Sequence, residues 1–151
     1  MSLAAKFGHT NLIAADWRRL AKFYEDVFGC VPTGTPRELS GAALEKGTGV
    51  ENAALSGVHL RLPGGGDNGP TLEIFSYTLN DVLGPGMPNR TGFGHIAFVV
   101  PDVAAAKQAV LDAGGSEHGA IVTTLAGTRR VTWVYVRDPE GNLVELQSWS
   151  E

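Results

Sequence analysis

At 151 residues the chain has the length of a single domain that can bury a core without covalent staples. Its 43% hydrophobic and 19% charged content excludes disorder and coiled coil as descriptions of the whole. A net charge of −4 leaves no basic field for a phosphate backbone, since Arg18-Arg19 and Arg129-Arg130 are isolated pairs, and no nucleic-acid partner is expected. The single cysteine, Cys30, rules out an internal disulfide and a thiolate zinc site and fits a reducing compartment, with cytoplasm as the expectation. Met1 to Asp16 holds no apolar run of signal length, and no stretch is long enough to cross a bilayer.

The first element is a strand opening at His9, in the run His9-Thr10-Asn11-Leu12-Ile13-Ala14-Ala15-Asp16. Asp16 is placed to cap a helix over Trp17 to Phe28, with Trp17, Leu20, Ala21, Tyr24, Val27 and Phe28 on one stripe and Gly29 as its stop. Cys30 follows the helix C-terminus, where the dipole disfavours a thiolate, so it reads as packing. Thr33 to Gly49 carries a short helix near Leu39 to Glu45. Strands then follow at Gly57 to Leu62 and Pro70 to Tyr77, around the turn Gly64-Gly65-Gly66-Asp67-Asn68-Gly69. His59 and Arg61 share one face of the earlier strand and read as a solvated sheet face.

Leu79 to Gly92, rich in glycine, proline and asparagine, reads as a linker. Beyond it the grammar repeats. His95 opens His95-Ile96-Ala97-Phe98-Val99-Val100-Pro101-Asp102, so that Asp again follows His at seven residues. A helix over Val103 to Ala113 ends at Gly114-Gly115. Strands at Ala120 to Thr124, Arg130 to Arg137 and Leu143 to Trp149 complete the half, the last two joined by Asp138-Pro139-Glu140-Gly141-Asn142. Trp133 and Tyr135 alternate on one strand and read as core or interface, and His118 as exposed loop. Each last strand places a glutamate four residues past a glycine, Gly69 to Glu73 and Gly141 to Glu145. The fold class is therefore α+β: one domain over 1–151, built of two βαβββ modules at about 6–78 and 93–149 with the linker at about 79–92.

Strand residues alternate between faces. Ile96, Phe98 and Val100, Leu72 and Ile74, and Val144 and Leu146 mark the helix-covered core face. The opposite face carries His9, Glu73, His95 and Glu145. A partly buried glutamate must be paired, protonated or metal-bound. Two neutral imidazoles and two carboxylates offset one divalent charge, and this nitrogen and oxygen set suits Zn, Ni, Co, Mn or Fe(II) better than Ca or Mg.

The pieces Gly94-His95-Ile96-Ala97-Phe98-Val99-Val100 and Val136-Arg137-Asp138-Pro139-Glu140-Gly141-Asn142-Leu143-Val144-Glu145-Leu146, with Phe23-Tyr24 and Phe28-Gly29, resemble the vicinal oxygen chelate superfamily. That superfamily includes glyoxalase I, methylmalonyl-CoA epimerase, extradiol dioxygenases and fosfomycin- or bleomycin-resistance proteins. The resemblance runs from about Lys6 to Trp149. It implies mixed sheets curving around a metal-binding cleft, usually in a homodimer, with His9, Glu73, His95 and Glu145 on the four ligand positions of a glyoxalase-I-like site.

It also implies a divalent-metal-dependent isomerase or lyase that stabilises the enolate or enediolate of a small oxygenated substrate, with Glu73 or Glu145 as the base. Glutamate at 73 argues against the epimerase pattern, where glutamine is common. The alternatives are an Fe(II)- or Mn(II)-dependent extradiol-type dioxygenase and a metal-free ligand-sequestering protein of the bleomycin-resistance kind. Strand parity names the cleft wall: Phe7 and Asn11 beside His9, Thr71 and Phe75 beside Glu73, Phe93 and Ala97 beside His95, and Leu143 and Gln147 beside Glu145.

Overall fold

A computed structural model describes residues 3–151. Met1 and Ser2, which open the stretch read as carrying no signal sequence, lie outside the described residues. The chain forms two compact units that divide between Val82 and Leu83.

In the first unit, strand β1 (His9–Ile13) leads to helix α1 (Trp17–Phe28). The Asp16 carboxylate accepts the Arg18 and Arg19 amides at 3.0 and 3.2 Å, satisfying orphan donors of the first turn. At the other end Gly29 takes φ 68°, a left-handed conformation that a β-carbon would strain. The buried stripe of α1 is Trp17, Leu20, Ala21, Phe23 and Tyr24, so Phe23 joins the expected set.

That stripe covers strands β4 (Ala54–Arg61) and β5 (Thr71–Tyr77), where Val58, Leu60, Leu72 and Ile74 are buried. The indole of Trp17 donates to Ser56 Oγ at 2.9 Å and pins the helix to β4. With the crossover made by α1, β1 returns beside β5 in parallel, His9 opposite Thr71 and Asn11 opposite Glu73. Antiparallel β4 sets His59 opposite Glu73.

The edge differs from expectation. Strands β2 (Val31–Pro32) and β3 (Arg37–Ser40) both pair with β4, as one interrupted edge strand, and the short helix α2 follows at Ala42–Thr48. The expected helix near Leu39 to Glu45 thus begins later. Leu39 and Ser40 instead complete the ladder opposite Leu55 and Ala54, and Gly41 at φ 94° turns the chain out of the sheet.

The second unit repeats the plan with β6 (His95–Val99), α3 (Val103–Asp112), β7 (Ser116–Glu117), β8 (Val122–Ala126), β9 (Arg129–Arg137) and β10 (Leu143–Ser150). Strand β6 is parallel to β10, with His95 opposite Leu143 and Ala97 opposite Glu145. Val110 of α3 packs over Val134, Val136, Val144 and Leu146, all fully buried. Gly115 is required by contact: a β-carbon there would lie 2.5 Å from the Arg137 carbonyl oxygen.

Strand β8 lies later than the expected Ala120 to Thr124, because the two-residue turn at Gly127-Thr128 sets pairing back from Ala126 opposite Arg129. Both units are thus α+β modules with an open mixed sheet, in the order β1-β5-β4-β2 and β6-β10-β9-β7. The segment between Thr78 and Gly94 contains no helix or strand. No helix among the described residues is long and apolar enough to cross a membrane.

The hairpin joining β9 to β10 is shaped by Asp138, whose buried carboxylate accepts the Glu140 and Asn142 amides and the Asn142 side-chain amide, each at 2.9 Å. Asp138→Ala should strand these donors and lower stability by about 1–3 kcal/mol, read as a drop in the urea midpoint at unchanged slope. Cys30 is buried, and that burial, helped by Glu25, pushes its thiol pKa up to about 11. Native protein at pH 8 should therefore react with a thiol-specific disulfide reagent at least ~100-fold more slowly than urea-unfolded protein.

Candidate metal centre

The parallel register of β1 on β5 and the antiparallel register of β4 on β5 bring three donors of the first unit together. In both kinds of pairing, residues directly opposite share a face. His9 stands two residues before the position opposite Glu73, and His59 stands directly opposite it. His9 Nε2 lies 3.6 Å from Glu73 Oε1, and His59 Nε2 lies 2.6 Å from Glu73 Oε2. The three ligand atoms all fall within 4.8 Å of one another. The two imidazoles meet edge-on with ring centres 5.5 Å apart.

The surrounding residues hold these groups in place. The Asn11 side-chain amide donates to Glu73 Oε1 at 2.9 Å. Thr71 Oγ1 lies 3.1 Å from His59 Nδ1. A ring protonated on Nδ1 gives that proton to Thr71 and turns its Nε2 lone pair toward the carboxylate. The Phe75 ring, buried beside the site, stands 6.0 Å from His59. Burial pushes the His59 imidazole below its usual pKa, outweighing the Glu73 carboxylate that pulls the other way; Arg37 and His9 add to the lowering. Its neutral form is the one that ligates a metal.

His59 Nε2 is a buried atom that faces Glu73 Oε2 at 2.6 Å. His9 Nε2 is beyond hydrogen-bond reach of a carboxylate oxygen that Asn11 already occupies. Two imidazole nitrogens and a carboxylate facing one point suit a cation. For metal–ligand distances of ~2.1 Å, neighbouring ligand atoms sit about 3.0–3.4 Å apart, and the separations of 2.6 and 3.6 Å bracket that value.

The second unit carries the corresponding row with different content. His95 Nε2 lies 2.9 Å from Glu145 Oε2. Opposite Glu145 on β9 stands Tyr135, in the place His59 takes in the first unit. Its ring is 4.9 Å from His95 and 5.4 Å from Trp133. Burial first, and then the Glu145 carboxylate, raise the Tyr135 phenol above its usual pKa, so it keeps its proton.

Of the expected cleft wall, Asn11, Thr71 and Phe75 contact the first-unit cluster. Phe7, Phe93 and Ala97 are exposed, whereas Leu143 is buried. Gln147 Oε1 accepts from the Trp149 indole at 2.6 Å. His59, read from the sequence as solvated, is instead a buried member of the cluster, its side chain only 13% exposed. The signal for it was hairpin symmetry: reflecting Glu73 about Gly66, the centre of the turn, lands on His59, just as reflecting Glu145 about Glu140 lands on Tyr135.

Comparison with known proteins follows the fold. The chain superposes on a glyoxalase family protein from Bacillus cereus with a TM-score of 0.79 at 16% identity, covering 100% of this chain and 97% of that one. A glyoxalase family protein from Enterococcus faecalis matches with a TM-score of 0.61 at 21% identity, over 95% and 98% of the two chains. A genomically encoded fosfomycin resistance protein from Listeria monocytogenes gives 0.61 at 18% identity, over 97% and 94%. At these identities the likeness is one of fold. No curated protein sequence matches the chain. The family model described as the Glyoxalase/Bleomycin resistance protein/Dioxygenase superfamily matches residues 6–146, which is nearly the whole of both modules, and the chain belongs to that superfamily.

Proposed function

We propose that the protein is a divalent-metal-dependent lyase or isomerase of the glyoxalase type, acting on a small oxygenated carbon acid through its enolate or enediolate. Its proposed ligand set is His9, Glu73, His95 and Glu145, its expected assembly a homodimer and its expected location the cytoplasm. The observation that carries this reading is the convergence of His9 and Glu73, with His59, on one sheet face, their ligand atoms all within 4.8 Å of one another. Bound there, a divalent ion supplies Lewis-acid stabilisation of the negative charge that develops on two neighbouring substrate oxygens.

Of the two glutamates, Glu145 is the better base. Glu73 is engaged through both oxygens, by Asn11 at Oε1 and His59 at Oε2, and is nearly sealed from solvent. Glu145 is held by His95 through Oε2, which leaves Oε1 to accept a proton from a carbon acid. Tyr135 keeps its phenolic proton as a donor for a substrate oxygen. Asn11 and Thr71 fix the rotamers of Glu73 and His59.

A second reading has its own support. Two histidines and one carboxylate, as in His9, His59 and Glu73, form the ligand set suited to Fe(II) oxygenases, which favours an extradiol-type dioxygenase.

The test is turnover of hemithioacetal and α-hydroxycarbonyl substrates in deuterated water by protein reconstituted with Zn, Ni, Co, Mn or Fe. Isomerisation with solvent deuterium entering the carbon acid, abolished by chelator, is the expected result, with Glu145→Gln lowering kcat by roughly 10²–10⁴-fold. Oxygen uptake with catechol cleavage would instead establish the dioxygenase. Failure to take up any metal would leave a ligand-sequestering protein. Asn11→Leu should weaken metal binding by about 10–100-fold, measured by competition with a chromogenic chelator, because Glu73 loses the amide that orients it.

A further inference from the structure

We infer that Arg37 is an anion-binding, specificity-determining residue of the first module, and that the substrate is a carbon acid with a second anionic group, a carboxylate or a phosphate. That group lies beyond the oxygens that meet the His9, His59 and Glu73 cluster. The inference rests on the carbon-acid chemistry proposed above and adds to it the class of substrate.

Three observations carry it. The first is register. Arg37, the first residue of β3, stands directly opposite Gly57 on β4, so it shares a sheet face with His59, two residues further along β4. Diagonal neighbours of this kind lie about 7–8 Å apart, within reach of a long side chain. The second is the space across the sheet from Arg37. A β-carbon at Gly57 would collide with the Phe75 ring and the Ile74 carbonyl oxygen, so no side chain can stand there. The row opposite Arg37 is therefore glycine and then Phe75, whose ring also stands 6.0 Å from His59. Nothing on β4 separates the arginine from the cluster row.

The third is charge. Arg61, opposite Thr71 on the same face, is held by Asp67 at 2.5 Å. Arg37 is exposed, and among the described residues no carboxylate lies within ion-pair distance of it. Its charge still reaches the cluster, where it opposes protonation of His59. A cation left unpaired beside two imidazoles, at a place suited to a metal ion, is electrostatically unfavourable until an anion joins it. The guanidinium offers a planar fork of donors that matches a carboxylate or a phosphate. One diagonal of the sheet is a distance that a chain of a few carbons spans, with neighbouring oxygens at the cluster and the distal anion at Arg37.

The experiment is calorimetric titration of the full chain, with and without equimolar Zn(II), by three 2-hydroxy acids. 2-Hydroxybutyrate has no second charge, 2-hydroxyglutarate adds a distal carboxylate, and 3-phosphoglycerate adds a distal phosphate. Wild type is compared with Arg37→Gln, Arg37→Lys and Arg61→Gln, all at exposed or half-exposed positions where folding should be undisturbed, which circular dichroism checks. Wild type should bind one of the doubly charged acids ~10-fold or more tightly than 2-hydroxybutyrate; Arg37→Gln should abolish that preference, Arg37→Lys keep part of it, and Arg61→Gln leave it within about twofold. Whichever acid binds tighter identifies the anion as carboxylate or phosphate. No preference in wild type, the same preference in Arg37→Gln, or an equal loss in Arg61→Gln overturns the inference. The metal reading is tested separately, because Zn(II) should tighten 2-hydroxybutyrate binding in wild type and Arg37→Gln alike. Absence of that response removes the metal and leaves the Arg37 preference standing.

Discussion

Each half of this protein is organised by one pairing: the first strand of the module lies parallel to its last. Parallel neighbours cannot be joined by a tight turn, so a helix must carry the chain across the sheet, and that helix becomes the cover of one face. In the first unit α1 supplies Leu20 and Tyr24 against Leu60, Leu72 and Ile74; in the second, α3 supplies Val110 against Val134, Val136, Val144 and Leu146. The other face is left for side chains that are not core. Because strand residues alternate, the apolar requirement on one face allows His9, Glu73, His95 and Glu145 on the other without disturbing the packing.

The burial of Glu73 is tolerated because the polar groups around it are dense. Asn11, His59 and His9 surround its carboxylate, and each sits on a strand whose register is anchored by the core beneath. Such a cluster is rigid where it is satisfied and reactive where it is not. His9 Nε2, His59 Nε2 and the Glu73 carboxylate point at the same place. Groups carried on strands are held more rigidly than groups carried on loops.

The two modules share a framework and differ in composition. Asn11, His59 and Thr71 of the first occupy the register positions of Ala97, Tyr135 and Leu143 in the second. Polar residues around the first His and Glu pair are thus replaced by small, aromatic and aliphatic ones, while the pair itself is kept. The first face gathers polar side chains around Glu73, and the second sets Trp133 and Tyr135 beside the close His95 and Glu145 pair.

The sequence alone determined the duplicated plan, because its signals are local and covalently spaced. Capping aspartates seven residues after each histidine, glycine stops after the helices, and glutamates four residues after a glycine all lie within one or two turns of chain. Strand parity likewise assigned His9, Glu73, His95 and Glu145 to the face opposite the core. Only the tertiary structure decided which donors meet. His59 looked like one more polar residue on a sheet face, since its burial comes from Phe75, Thr71 and its neighbours across β5 rather than from anything beside it in sequence. The edge strand at Arg37–Ser40 was missed for the same reason: its hydrogen-bond partners lie on β4, and no periodicity within those four exposed residues announces them. Local chemistry writes the elements, while register across the sheet, a property of no single segment, decides which of their side chains share a site.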